Sequence, residues 1–425
     1  MQRLTKKFKK WGTSIRVGFF LALRQLMRTS RYTNGLIIFV MVLTFLNLVV
    51  VRGILVGLLQ GSTEVYRSKF AGDVLITNLP KKNFIENSPS IISKVKNLPW
   101  VEAYSYRYVD GGEVEATYKS KIRQDEDANS ANASIVGIDP TLEDSFSNMS
   151  DAIVEGRYLT KDDAEGIMIG TNLLRKYLNI EAPGLSLLEN VNIGDRVRLT
   201  IGGNRREFII VGFLKSKVDQ IDFRVFALDT TLRNMIGRSD YNVDEISIRL
   251  LPGTDPYIVK DALLRAGVGE TARVQTWDES LPKFLLDIQN TFGLLGNVVG
   301  SIGLAVASIT IFIVIFINAI TRRKFIGILK GIGIESRAIE VAYIIQSVFY
   351  AGMGIAIGFL LIYGFLVPFI DAHPIKFPFS DGILVAEVYN TSIRALLLMI
   401  ATLIAGYIPA RIVVNKNTLD SILGR

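Results

Sequence analysis

The 425-residue chain has one histidine, His373, and no cysteine. These two counts remove most of the chemistry that side chains perform. No thiolate zinc site, iron–sulfur cluster, cysteine nucleophile or disulfide framework is available. A single imidazole excludes a multi-histidine metal site and a Ser-His-Asp triad within the chain. His373 stands in Ala-His-Pro, where it reads as a solvated loop side chain. Carboxylates are frequent, 40 in all, but no two fall by spacing on one face of a clear helix, so no glycosidase-type pair is legible. No G-x-x-x-x-G-K-[ST] phosphate loop, G-x-S-x-G, H-E-x-x-H or EF-hand pattern occurs. No cofactor and no metal are expected, and any ATP must be bound by another chain. One short segment, Arg322 to Gly333, does combine useful residue types. Arg322, Arg323, Lys324 and Lys330 can pair with acidic groups or lipid phosphate, and Ile326, Ile328, Leu329 and Ile332 are apolar anchors. Gly327, Gly331 and Gly333 permit tight turns beside Phe325. This is the chemistry of recognition.

The elements that position this segment are apolar runs. Tyr32–Val51 carries no charge, and after Arg52 the apolar character continues through Leu59. Ile288–Thr321 and Val341–Ile370 are also uncharged, and Val388–Ala410 is broken only by Arg394. A helix needs about 20 apolar residues to cross a bilayer. The first three runs meet this directly; the fourth does if Arg394 snorkels to an interface. A cleaved signal peptide is a poorer reading of the first run, because its basic flank is long and no small-x-small site follows. The mean hydropathy of +0.33 agrees with membrane spans. Gly296 and Gly300, and again Gly354 and Gly358, form G-x-x-x-G pairs, which serve either packing within the chain or a dimer contact.

The net charge of +8 is local. Ten Lys and Arg, from Arg3 to Arg52, precede the first acidic residue, Glu64, and the rest of the chain is near neutral. An excess beside an apolar run is an orientation signal and not a nucleic-acid footprint. The loop after the second run (Arg322, Arg323, Lys324, Lys330, Arg337) and the C-terminal tail (Arg411, Lys416, Arg425) are also basic. Four spans put all three basic segments on the cytoplasmic side, both termini included. Near the N-terminus, Ile15, Phe19, Leu23 and Leu26 form an apolar stripe with Arg16, Arg24 and Arg28 off it. Such a helix reads as lying along the membrane surface.

The expected fold is membrane α-helical, with four transmembrane helices and a large α+β extracytoplasmic domain inserted between helices 1 and 2. The boundaries are 1–31 for the amphipathic helix, 32–59 for span one and 60–286 for the outer domain, read as two subdomains with stalk helices. Then come 287–321 for span two, 322–340 for the cytoplasmic loop, 341–370 for span three, 371–387 for a short outer loop, 388–410 for span four and 411–425 for the tail. Asp73–Asn78, Ser134–Ile138 and Glu245–Leu251 read as strands. Val197–Ile201 and Glu207–Phe213 read as a hairpin about Gly202-Gly203-Asn204. Pro89–Val95 and Thr171–Leu178 read as short helices, and Gln124–Asn132 as a mobile acidic loop. The spans hold almost no ionisable groups, which disfavours an ion-coupled transporter.

This layout resembles the FtsX-like permeases of ABC transporters, the group that includes MacB and the lipoprotein-releasing LolC/LolE proteins. Arg322-Arg323-Lys324-Phe325-Ile326-Gly327-Ile328-Leu329-Lys330-Gly331-Ile332-Gly333 is similar to the family's R-x-x-E-I-G-[IL]-x-[KR]-A-[IL]-G loop. Val136-Gly137-Ile138-Asp139, Glu155-Gly156-Arg157, Ile169-Gly170, Val191-x-x-Gly194-Asp195-x-Val197 and Val211-Gly212-Phe213 occur in the family's order. Ile408-Pro409-Ala410-Arg411 with Leu419-Asp420-Ser421-Ile422-Leu423 is similar to its closing motif. Phe325 stands where the loop usually has Glu, and Gln346 where span three often has Glu.

The resemblance implies a permease subunit that is not itself an enzyme. Its Arg322–Gly333 loop would be a coupling helix docked on a separate cytoplasmic ABC ATPase dimer. ATP-driven movement would pass through stalks near Leu58–Lys69 and Leu281–Asn290 to the outer domain, for export or extraction of a lipid, lipoprotein, peptide or drug-like cargo. The implied partners are that ATPase, a second copy or a related permease, membrane lipid, and an extracytoplasmic adaptor or cargo protein, with no nucleic acid. The implied location is the inner (cytoplasmic) membrane. The alternatives are an FtsX-like regulator of a cell-wall hydrolase and a membrane-anchored sensor or adhesion protein.

Overall fold

The computed structural model describes residues 2–118, 128–178, 183–373 and 384–415. Its helices are α1 (Gln2–Arg28), α2 (Arg31–Tyr66), α3 (Ser88–Lys96), α4 (Pro140–Ser147), α5 (Asp219–Asp222), α6 (Asp229–Met235), α7 (Pro256–Arg265), α8 (Lys283–Thr321), α9 (Arg323–Gly331), α10 (Ser336–Leu361), α11 (Val367–Ala372) and α12 (Val388–Val414). Its strands are β1 (Val74–Asn78), β2 (Val101–Glu115), β3 (Ser130–Ile138), β4 (Ile153–Gly156), β5 (Gly166–Gly170), β6 (Arg196–Ile201), β7 (Asn204–Leu214), β8 (Arg224–Leu228), β9 (Glu245–Leu250) and β10 (Ala272–Thr276). Two compact units partition these elements. One holds the described residues up to Leu59 and from Asp287 onward; the other is Gln60–Leu286.

Among the described residues, four runs are long and apolar enough to cross a membrane: Arg31–Ala71, Lys283–Thr321, Ser336–Ala372 and Val388–Val414. With 36 and 39 residues, α2 and α8 are each about 54–58 Å long, well beyond a hydrocarbon core of about 30 Å. Pro368 follows a π-helical turn, Ile362–Leu366, that links α10 to α11. The wider turn accommodates a residue that cannot donate to the helix ladder.

The glycine pairs have a clear placement. A Cβ on Gly354 would lie 3.1 Å from the main chain of Met41, and one on Gly358 would collide with the Phe45 ring. A Cβ on Gly296 would sit 3.4 Å from Arg52, and one on Gly300 would sit 3.7 Å from Leu48. All four glycines therefore have α2 of the same chain as their nearest neighbour. The tighter pair lets α10 approach α2 closely, so Met41 and Phe45 are fully buried.

The other unit is built on one sheet, ordered β10-β1-β9-β2-β3-β8-β5-β7-β4, with β6 pairing β2 and β7. β3–β8 and β5–β7 are parallel and the remaining pairs antiparallel. Alternation along the strands feeds two cores. Val74, Ile76, Ile135, Ile167, Ile169 and Val225 enter one, while Leu75, Val136, Met168 and Phe226 enter the other. Both faces are covered, so the central strands read as apolar runs rather than as alternating ones. The ten strands form a single sheet with two core clusters packed against it.

The β6–β7 hairpin turns through Gly202 and Gly203, both at positive φ (52° and 87°), as the primed turn requires. The expected helix at Thr171–Leu178 is only a 3-10 turn, Thr171–Leu173. Distant pairing overrides helix formation there: Arg175 N donates to Leu188 O at 3.0 Å and Leu188 N to Leu173 O at 2.8 Å. The expected loop Gln124–Asn132 lies outside the described residues as far as Asp127. Its end is strand, with Ser130–Asn132 paired to Glu113–Glu115.

Candidate functional site

The recognition segment forms α9, a nine-residue helix. Its end is built by local chemistry. Ile334 N donates to Leu329 O at 3.0 Å and Gly333 N to Lys330 O at 3.1 Å, with Gly333 at φ +94°. This is the Schellman stop, in which a left-handed residue releases the chain from the helix. Ile334 and Leu329 both pack into the helical core, completing the apolar contact of that motif.

The two faces of α9 are unequal. Ile326 and Leu329 are buried, 2% and 8% exposed, whereas Phe325, Ile328 and Ile332 are 49%, 51% and 72% exposed. The exposed set follows i, i+3, i+7, one helix stripe. The four expected anchors therefore divide: Ile326 and Leu329 hold α9 to its own unit, and Ile328 and Ile332 face outward. Phe325, which belongs to the expected coupling segment and stands where the loop usually has Glu, is the third outward side chain. The cations divide too. Lys330 Nζ donates to Val414 O at 2.9 Å, satisfying a terminal carbonyl of α12, and Arg322 Nη2 to Thr29 Oγ1 at 3.3 Å. Lys324 is exposed beside Phe325, and Arg323 is half-buried. Gly327 is buried, and Gly331 is exposed at the last turn.

Around α9, polar contacts join distant segments. Gln346 Nε2 donates to Gln25 Oε1. Tyr350 Oη donates to Asn34 Oδ1 at 2.7 Å, and Asn34 Nδ2 to Leu26 O at 3.0 Å. Ser14 Oγ donates to Glu335 Oε2 at 2.9 Å. α1 faces α10 with Ser14, Gly18, Ala22 and Gln25, and a Cβ on Gly18 would lie 2.7 Å from Val341. The apolar stripe read from sequence points elsewhere: Ile15, Phe19 and Leu23 are 46–57% exposed, and only Leu26 packs on the core.

In the sheet unit the end of α2 is heavily tied. A π-helical turn, Arg67–Ala71, follows Tyr66 and ends at Gly72 with φ 71° and ψ −161°. That conformation is open essentially to glycine alone, and a Cβ would collide with the main chain of Ile248. The Phe70 carbonyl accepts from Arg107 Nη1 at 3.1 Å and Ser247 Oγ at 2.8 Å. Arg107, 1% exposed, grips Glu143, 0% exposed, through two bonds of 2.9 and 2.6 Å. Glu245 lies 3.5 Å from Arg107 and is held by Arg224 at 2.7 Å. The Phe70 ring has guanidiniums over it at 5.1 Å (Arg107) and 5.0 Å (Arg224).

Burial opposes charge on Arg107, but Glu143 and Glu245 outweigh it and hold the guanidinium above its ordinary pKa. Burial likewise works against Glu245, and Arg224 and Arg107 outweigh it, leaving the carboxyl below its usual range. Sequence spacing could not reveal this cluster, because its contacts join residues 21 to 177 positions apart. The cluster occupies its carboxylates with ion pairs.

His373 ends α11, its ring stacked on Phe369 at 5.0 Å. The Leu419–Leu423 motif lies outside the described residues.

Two family models match the chain. Residues 39–266 match a MacB-like periplasmic core domain, and residues 297–418 match an FtsX-like permease C-terminal domain. An uncharacterized ABC transporter permease of Methanocaldococcus jannaschii is 24% identical over 366 residues, 83% of this chain and 85% of that protein. The macrolide export ATP-binding/permease protein MacB of Campylobacter fetus is 25% identical over 280 residues, 64% of this chain and 41% of that protein. Among solved structures, the periplasmic region of MacB from Actinobacillus actinomycetemcomitans covers 50% of this chain and 92% of its own, at 15% identity and a TM-score of 0.35.

Proposed function

The chain belongs to the MacB-like, FtsX-like ABC transporter permeases, and from that premise we propose that it transmits the work of a separate cytoplasmic ATPase to its own large domain. The observation that carries the reading is the outward stripe Phe325, Ile328 and Ile332 on a short helix whose other face is locked by Ile326 and Leu329. Three large apolar side chains beside exposed Lys324 suit a partner cleft with an apolar floor and an acidic rim. Because α9 is clamped through Lys330 to α12 and through Arg322 to Thr29, a push on the stripe moves spans rather than a loose loop.

In this reading the α9 loop and both termini face the cytoplasm, as the basic segments favour. Residues 60–286 then lie outside the cytoplasm. α2 and α8, each longer than a bilayer requires, act as stalks. The assembly holds two permeases, identical or related, on an ATPase dimer, in the cytoplasmic membrane. An extracytoplasmic adaptor or cargo protein meets the large domain. The cargo is a lipid, lipoprotein, peptide or drug-like molecule, and the permease itself contributes no covalent chemistry.

The test is co-purification from native membranes, followed by ATP hydrolysis measurements. Recovery of an ABC ATPase whose turnover changes with the permease supports the proposal. A permease that purifies without any ATPase overturns it. Orientation is checked independently, since the chain has no cysteine background: Ala128→Cys should be labelled from outside and Ser336→Cys from inside.

A further inference from the structure

Two arginines stand at the margins of the apolar runs, Arg52 on α2 and Arg394 on α12, and they converge. Arg394 Nη1 donates to the Leu48 carbonyl at 2.6 Å. Arg52, one helical turn beyond Leu48 on the same face of α2, donates through Nη1 to Asn297 Oδ1 of α8 at 2.9 Å. Gly296, next to Asn297, lies against the Arg52 side chain, where a Cβ would sit in ordinary contact at 3.4 Å. Three helices thus meet around two guanidiniums.

Both cations contact only neutral oxygens; among the described residues neither has a carboxylate partner. A guanidinium carries five N–H donors, and each arginine uses one of them here. Both side chains are half-buried. Two guanidiniums held at one meeting of helices repel each other, and an anion between them relieves that repulsion.

Depth identifies the anion. Arg394 lies 17 residues before Arg411 on α12, about 26 Å along the helix axis. Arg52 lies 20 residues beyond Tyr32 on α2, about 30 Å. Both distances approximate the hydrocarbon thickness, so the guanidiniums stand at the level of headgroup phosphates. Arg52 is eight residues ahead of Gln60, where the large domain begins, which selects the leaflet on that domain's side. A guanidinium fork matches a phosphate in shape and charge.

We propose that Arg52 and Arg394, with Asn297, form a binding site for the phosphate of a phospholipid headgroup in the leaflet next to the large domain. The proposal rests on these helices crossing a membrane and is independent of the coupling role of α9.

The experiment is native mass spectrometry of the full chain in detergent micelles titrated with phosphatidylglycerol. Wild type should retain one lipid molecule, and Arg52→Gln/Arg394→Gln should weaken its retention about ten-fold or more, the scale of a lost charge-assisted pair. Arg411→Gln, an exposed cation at the opposite end of α12, should leave retention unchanged. Equal retention by wild type and the double variant overturns the site. Displacement of the lipid by millimolar inorganic phosphate overturns its assignment to lipid. Should the double variant misfold, wild type is photolysed with a phosphatidylglycerol carrying a headgroup diazirine. Adducts near residues 48–52, 294–298 and 391–397 support the site, and adducts confined to α1 and α9 overturn it.

Discussion

The hydroxyl of Tyr66 donates to the main-chain carbonyl of Ser280 at 2.8 Å. Tyr66 is the last residue of α2, and Ser280 lies three residues before α8 begins. The Tyr66 hydroxyl, which also lies 3.4 Å from Ser280 Oγ, thus joins the end of one long helix to the start of the other across 214 residues of sequence.

Tyr66→Phe should keep the ring and lose only the hydroxyl's contacts with Ser280, about 1 kcal/mol. Hydrogen exchange should then speed up in residues 67–71 and 277–283 by roughly five-fold, while β1 keeps its protection. Unchanged exchange at 277–283 would show that the bond does not tie the two helices.

On α9 the outward and inward residues should separate in their effects. Ile328→Asp and Ile332→Asp should abolish permease-stimulated ATP hydrolysis while membrane insertion and thermal stability stay near wild type. Leu329→Asp should destabilise the helical unit by several kcal/mol, because it buries a charge beside apolar neighbours. Retained stimulation in both outward variants would count against docking by this stripe.

Removing Arg107 leaves the fully buried Glu143 without its cation. Arg107→Met should cost about 3–5 kcal/mol, read as a lower denaturation midpoint of the full chain. Arg107→Met/Glu143→Gln should recover part of that loss, because the stranded charge is gone. A double variant no more stable than the single one would contradict this account.

The glycine pairs predict opposite responses to one methyl group. Gly354→Ala should destabilise by about 1–3 kcal/mol, since Met41 and its main chain occupy the space. Gly300→Ala meets only Leu48 at 3.7 Å and should be neutral or stabilising by up to about 1 kcal/mol through helix propensity. Melting temperatures in detergent decide between these outcomes.

Stability should also depend on pH through two aspartates of the sheet unit. Burial pushes the carboxyls of Asp222 and Asp244 up to about 6. Hydrogen bonds from Ser216 and Lys217 oppose this for Asp222, and from Val109 and Arg238 for Asp244. A pKa raised on folding means that the folded state binds the proton more tightly. The resulting stabilisation is fully present below about pH 4 and is lost as pH rises through about 6. Asp222→Asn, which stays neutral, should therefore show a shallower fall in melting temperature between pH 4.5 and 7 than wild type. Parallel profiles would remove Asp222 from the explanation.

Much of this architecture is legible from local signals. Hydropathy marks the four long helices because apolar length is a property of consecutive residues. Gly202-Gly203 marks its hairpin because positive φ is a single-residue property. The α9 segment is visible for the same reason: its cations, isoleucines and glycines lie within twelve positions. Thr171–Leu178 misleads, since its backbone partners come from Leu188.

By itself, then, the sequence determines the four long apolar helices, the charge asymmetry and the scarcity of histidine and cysteine. It could not say that Ile328 faces outward while Leu329 faces in, that Gly354 packs on Met41, or that Glu143 is buried against Arg107. Each of these depends on neighbours many residues away, brought close only when the chain has folded. Tertiary structure alone assigns every side chain its neighbours, and those neighbours set whether a group is solvated, paired or buried.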